Sequence, residues 1–139
     1  MLGIPTRIEI GPKDIENGQV VIVRRDTREK IVVAIDEVTT KLSEILETIQ
    51  KDLYTKAKAF LDSHIHTVTN MDEMKETAEN EIGFIKAMWC GDEACEEAIK
   101  EQTGGVTSRC IPEEQEQLSD VCVCCGKPAK HMVYWGKAY

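Results

Sequence analysis

Phe84-Ile85-Lys86-Ala87-Met88-Trp89-Cys90-Gly91-Asp92-Glu93-Ala94-Cys95 is the stretch on which the reading of this chain turns. Phe84 to Trp89 reads as a strand that runs directly into Cys90. Gly91 follows, and Cys95 opens a helix to Thr103 that Gly104-Gly105 stops. A helix start favours a thiolate through its dipole, so Cys90 and Cys95 form a Cys-x4-Cys pair within metal-ligand range. A second pair lies downstream in Cys122-Val123-Cys124-Cys125-Gly126, where Cys122 and Cys125 have x2 spacing and Gly126 lets the backbone turn back. Two such pairs predict one closed tetrahedral site of four thiolates for a structural zinc ion, on Cys90, Cys95, Cys122 and Cys125.

Two further cysteines compete with that assignment. Cys124 sits inside the knuckle, and the x2 spacing favours Cys125 over it. Cys110, in Ser108-Arg109-Cys110-Ile111, is expected to be a small buried apolar residue. A redox dithiol at Cys122 and Cys125 is the rival reading, and it leaves Cys90 and Cys95 without a role. A catalytic zinc needs an open position and a nearby base, and four matched thiolates argue against one. His64, His66 and His131 are then expected at the surface.

Outward from the cysteines, Thr107 to Ile111 and Met132 to Trp135 read as strands, with an acidic loop from Pro112 to Asp120. Asn70 or Asp72 caps a helix to Glu81, and Ile65 to Asn70 is a short strand or linker. Further upstream, Arg7 to Ile10 alternates as a strand with Ile8 and Ile10 facing a core. Lys13 to Glu16 makes at most a helical turn. Val20 to Val23 and Ile31 to Ile35 are β-branched runs that predict strands buried on both faces. Asp36 is the expected N-cap of a long helix. Its stripe of Val38, Leu42, Ile45, Leu46, Ile49, Leu53, Ala57, Phe60 and Leu61 is expected to pack on a sheet. The fold class is α/β, with residues 1–64 and 65–139 as two domains. Three strands and one helix leave a sheet face without cover, which suggests the second half of a larger α/β domain.

The chain has 139 residues and a net charge of −8. Residues 1–64 hold 10 Lys/Arg against 11 Asp/Glu, and residues 65–139 hold 7 against 14. A phosphate backbone would avoid the second half and use a local basic patch in the first. Arg24, Arg25, Arg28 and Lys30 cluster at one strand–turn–strand corner that suits such contacts, with Asp26 and Glu29 as alternative partners. No apolar run approaches the roughly 20 residues of a membrane span. The N-terminus lacks a secretory pattern, so a cytoplasmic location is expected, with no membrane partner.

The stretch Gly3-Ile4-Pro5-Thr6-Arg7-Ile8-Glu9-Ile10-Gly11-Pro12-Lys13-Asp14, with Gln19 to Lys30, resembles the second half of the class II synthetase anticodon-binding domain. Met88-Trp89-Cys90-Gly91, Cys95-Glu96, Arg109-Cys110-Ile111-Pro112, Cys122-x-x-Cys125-Gly126-Lys127-Pro128-Ala129 and Gly136-Lys137-Ala138-Tyr139 are similar to the zinc-binding extension of prolyl-tRNA synthetases of the archaeal and eukaryotic type. The resemblance implies a parent enzyme that joins proline to its tRNA with ATP on a catalytic domain not present here. It implies tRNA and that catalytic domain as partners, and a homodimeric parent. It implies zinc on the four named cysteines, with Cys110 excluded. It also implies anticodon-side roles for Arg25 and Lys30, and a terminal carboxylate on Tyr139 directed toward the catalytic domain. Arg28 stands where this family often has glycine, and Cys124 is extra. A free-standing zinc-binding interaction module is the alternative to the synthetase reading.

Overall fold

A computed structural model describes residues 3–138, which fall into two units, Met1–Lys58 and Ala59–Tyr139. In the first, alternating Thr6–Glu9 forms strand β1 and Pro12–Glu16 a short helix α1. Gln19–Arg24 (β2) and Lys30–Ala34 (β3) complete an antiparallel sheet of order β1-β2-β3. The register sets Ile8 opposite Ile22 and Ile22 opposite Ile31, so all three side chains share one face. The long helix α2, Val38–Ser63, lies on that face, and its Ile45 and Ile49 pack with Val20, Ile22 and Val33.

Three expectations fail in this unit for one reason, the limited reach of a single helix. A helix about 10 Å across covers about two strands spaced about 4.8 Å apart. Helix α2 covers β2 and β3, which leaves Ile8 on edge strand β1 at 45% exposure, and Ile10 beyond its end at 55%. Val32 points to the opposite face and is 61% exposed, so β3 is buried on one face only. The apolar stripe of α2 is half used. Ile45 and Ile49 are buried, Val38 and Leu42 pack beside them, and Leu46, Leu53, Phe60 and Leu61 are exposed. A fourth expectation fails locally, because Asp36 caps nothing. A 3-10 turn at Ile35–Glu37 precedes α2, and extended Ala34 takes the cap position without a side-chain bond.

The second unit has a sheet of order β4-β5-β7-β6, from Ile65–Thr67 (β4), Phe84–Trp89 (β5), Val106–Cys110 (β6) and His131–Lys137 (β7). Strand β4 runs parallel to β5, and the other pairs are antiparallel. Helix α3 is Met71–Asn80 and α4 is Glu93–Gln102. Asn70 caps α3 by accepting from the Glu73 N–H at 3.0 Å. Ile85, Ala87, Val133, Trp135 and Val106 share a face, and Met74 of α3 and Ile99 of α4 complete its core. Strand β6 ends at Cys110, where the edge position leaves the thiol exposed rather than buried. Beyond that end the Gln115 side chain takes over the pairing, accepting from the Met132 N–H at 2.7 Å and donating to its carbonyl at 3.3 Å. Lys86, on the other face of β5, pairs with Glu116 of the same acidic loop at 2.5 Å. His64, His66 and His131 are half-buried.

Candidate metal centre and nucleic-acid interface

The backbone brings the two cysteine pairs together. Cys90 directly follows β5, Gly91 turns at φ 86°, and the Asp92 side chain caps α4 by accepting from the Ala94 N–H at 3.1 Å. The Cys95 N–H reaches the Asp92 carbonyl at 3.0 Å, and the Trp89 indole N–H donates to that carbonyl at 3.2 Å. This fixes both sulfurs on one turn. The knuckle closes through Cys122 N–H to Lys127 O (2.8 Å) and Gly126 N–H to Cys122 O (3.1 Å), with Gly126 at φ 69°. Two more main-chain bonds hold it beside β5: Val123 N–H to Met88 O (2.9 Å) and Lys130 N–H to Trp89 O (2.8 Å).

The sulfurs of Cys90, Cys95, Cys122 and Cys125 consequently all lie within 4.8 Å of one another. Cys90 and Cys95 are 3.6 Å apart, and Cys90 and Cys125 are 3.7 Å apart. A tetrahedron with metal–sulfur bonds of about 2.3 Å has edges of about 3.8 Å, so the cage fits a zinc-sized ion. Cys90, Cys95 and Cys122 are buried, and Cys125 is exposed. Burial pushes the Cys90 and Cys95 thiols up, whereas the Lys127 backbone N–H holds Cys125 down to about 7. Buried thiolates need a cation beside them, and one dication shared by all four supplies it. Cys124 packs against the cage, half-buried, with its thiol pushed up by burial, and is outside the four-sulfur group. Sequence spacing did not reveal Asp92 and Trp89 as organisers of the cage, although Asp92 before a helix start was a readable cap.

The basic corner is the β2–β3 hairpin, closed by Arg24 N–H to Glu29 O (3.0 Å) and Arg28 N–H to Arg24 O (3.1 Å). Arg24 is buried. Its guanidinium donates to both Asp26 oxygens at 3.1 and 2.6 Å and to Asp52 of α2 at 2.6 Å. This pairing holds the Asp26 carboxyl below the usual carboxylate range. Arg25 and Arg28 are exposed, and among the described residues their side chains have no ion-pair partner. Lys30 reaches Glu9 at 3.3 Å, and Arg7 holds the same carboxylate at 2.5 Å. Arg28 adopts φ 65°, the left-handed conformation that glycine takes freely. A hollow of about 310 Å³ opens beside the corner, lined by Ile4, Thr6 and Val23 and by Arg7, Arg24, Arg25 and Arg28. Arg7 was missed as a member of this cluster because it lies 17 positions before Arg24 and joins it only by strand pairing. Tyr139 lies outside the described residues.

The model of the family described as "Prolyl-tRNA synthetase, C-terminal" matches residues 71–139, and that of "Anticodon binding domain" matches residues 1–45. The chain has the C-terminal region of the prolyl-tRNA synthetases. The Proline--tRNA ligase of Lachnospira eligens is 66% identical over 139 residues, all of this chain and 29% of that protein. The one of Agathobacter rectalis is 69% identical over 138 residues, 99% of this chain and 29% of that protein. The crystal structure of prolyl-tRNA synthetase from Cryptosporidium parvum, complexed with L-proline and AMP, superposes with a TM-score of 0.90 at 36% identity. It matches 99% of this chain, which covers 29% of that one. The chain thus spans less than a third of the relatives it matches, and both of its units are prolyl-tRNA synthetase C-terminal region. No helix among the described residues is long and apolar enough to cross a membrane.

Proposed function

We propose that this chain is the tRNA-contacting and zinc-stabilised C-terminal portion of an enzyme that ligates proline to its tRNA with ATP. The observation that carries the reading is the match of both units, in order, to an anticodon-binding family and a prolyl-tRNA synthetase C-terminal family. Residues 1–64 serve the anticodon side and residues 65–139 the zinc-binding extension. The extension is read here as that of the archaeal and eukaryotic type, and likeness along 99% of the chain to the Cryptosporidium parvum enzyme supports that reading. The relatives in Lachnospira eligens and Agathobacter rectalis carry the same region at higher identity, 66% and 69%.

Zinc on Cys90, Cys95, Cys122 and Cys125 is a cross-link in this reading. The small unit has one modest core, and an ion bound only by the folded chain adds its binding energy to folding. Four sulfurs would fill the coordination shell of the ion and leave it no open position for chemistry. On the tRNA side, Arg25, Arg28 and Lys30 present cations to phosphate or base edges, while Arg24 fixes the corner through Asp26 and Asp52. The other partners are the catalytic domain of the same protein and a second subunit of the parent homodimer in the cytoplasm.

Two measurements test this. Metal analysis of reduced protein is expected to give one zinc per chain, with loss of the second unit's fold on chelation. A metal-free, folded chain refutes the cross-link. In the parent enzyme, the Arg25→Ala, Arg28→Ala double variant is expected to weaken tRNA binding and lower the salt slope by about 1–2. An unchanged tRNA affinity and slope refute the corner.

A further inference from the structure

The cage has one side open to water. Cys90 and Cys95 are each 7% exposed and Cys122 is 2% exposed, whereas Cys125 is an exposed residue. Zinc has no redox chemistry of its own, and the electron pairs of its thiolate shell stay on sulfur. An oxidant arriving from solvent therefore meets the Cys125 sulfur first, and the Cys90 sulfur lies 3.7 Å behind it. We propose that Cys125 is an oxidation site at which hydrogen peroxide opens the cage, forming a Cys90–Cys125 disulfide and expelling the ion. This rests on the zinc-cage reading above.

The chemistry balances in two steps. The Cys125 thiolate attacks peroxide, the O–O bond breaks, and sulfur becomes a sulfenic acid as hydroxide leaves. The Cys90 thiolate then attacks the Cys125 sulfur, the S–S bond forms, the S–O bond breaks and a second hydroxide leaves. Two thiolates lose two electrons, and peroxide takes them up to become the two hydroxides, which the buffer protonates to water. Closure from 3.7 Å to a disulfide bond of about 2.05 Å needs a shift of less than about 2 Å, at a knuckle position, Cys125, that is exposed to solvent. Cys95 and Cys122 alone are half a shell and do not retain the ion.

Two other thiols are accessible enough to confuse the result. Cys110 is exposed at the end of β6, and Cys124 adjoins Cys125 at the edge of the cage. The test therefore uses the zinc-loaded full chain carrying Cys110→Ser, and a second chain carrying Cys110→Ser with Cys124→Ser. Each is titrated with peroxide, and released zinc is read with a colorimetric chelator while thiols are mapped by differential alkylation and mass spectrometry. In both chains one zinc is expected to leave per disulfide formed. Cys125 is expected to be the first modified residue and Cys90–Cys125 the first bridge, with dithiothreitol plus zinc restoring the starting state. First modification at Cys90, Cys95 or Cys122, a bridge through Cys124, or zinc retained under excess peroxide overturns the inference while leaving the cage standing. Absence of zinc before any peroxide is added overturns the cage and the inference together.

Discussion

Gly83→Ala is a demanding test of the second unit's geometry. Gly83 has φ 115°, and a Cβ placed there would lie 2.0 Å from the His64 carbonyl oxygen and 2.9 Å from its carbonyl carbon. The obstacle is backbone, so no side chain can swing aside. That same oxygen accepts the Phe84 N–H at 2.9 Å, the bond that starts the β4–β5 pairing and so places the strand leading to Cys90. The strained φ costs about 1–3 kcal/mol and the forced displacement about 1–3 kcal/mol more. A total of about 2–6 kcal/mol lowers the melting temperature of a unit this size by about 8 °C or more. Gly104→Ala is the matched control, since φ is 67° and the nearest atom is the flexible tip of Lys137 at 3.7 Å, so only about 1 kcal/mol is at stake. Both tryptophans of the chain, Trp89 and Trp135, lie in this unit in edge-to-face contact at 6.3 Å, and near-ultraviolet circular dichroism during heating reports on it selectively. Equal losses in the two variants would refute the close approach of Gly83 to His64.

Ile49→Ala, in the core under β2 and β3, is expected to lose about 2–5 kcal/mol, against less than about 0.5 kcal/mol for Leu53→Ala on the exposed continuation of the same stripe. Urea unfolding followed by far-ultraviolet circular dichroism measures both, and comparable losses would contradict the half-used stripe. Arg28→Gly relieves the left-handed conformation and is expected to stabilise the hairpin by about 0.5–1 kcal/mol while weakening tRNA binding by the parent enzyme; calorimetry and a binding titration check the two halves separately. The lowered Asp26 carboxyl contributes stability that is present above the usual aspartate range and lost as pH falls through its depressed value. Asp26→Asn should therefore flatten the acid limb of a urea-midpoint profile between about pH 5 and pH 2, and an unaltered limb would rule out the Arg24 pairing as its source. Zinc should dissociate on acidification, because protons compete for every thiolate, and metal retained at low pH would contradict an all-sulfur shell.

The chemistry-bearing part of the chain was the most legible. Phe84 to Trp89 is a strand over the anticipated residues, and Asn70 caps α3, because a β-branched or apolar run and a capping side chain both act locally. The four sulfurs converge in the anticipated set because x2 and x4 spacings each restrict a pair to one turn. What stayed hidden depends on the third dimension. Ile8, Val32 and Leu53 have the right periodicity for a core, but periodicity reports which face a residue takes and not how far the covering helix reaches. Asp36 has a capping side chain, yet the chain enters α2 through a 3-10 turn that needs none. Cys110 has the composition of a buried residue and lies on an edge strand, a position set by the order of strands rather than by its neighbours in sequence. Arg24 was legible as a cation of the corner, but its partner Asp52 is 28 positions away.

The stitching of the knuckle to the end of β5 has a kinetic corollary. Cys90 and Cys125 are 35 positions apart and meet only once Val123 and Lys130 have docked on Met88 and Trp89. An ion that reaches a nascent chain finds two separate dithiols and is held loosely by either one. In the zinc cross-link reading proposed above, tight capture comes late, after the strands have assembled, so a chelator too weak to strip the mature protein is expected to intercept a refolding one.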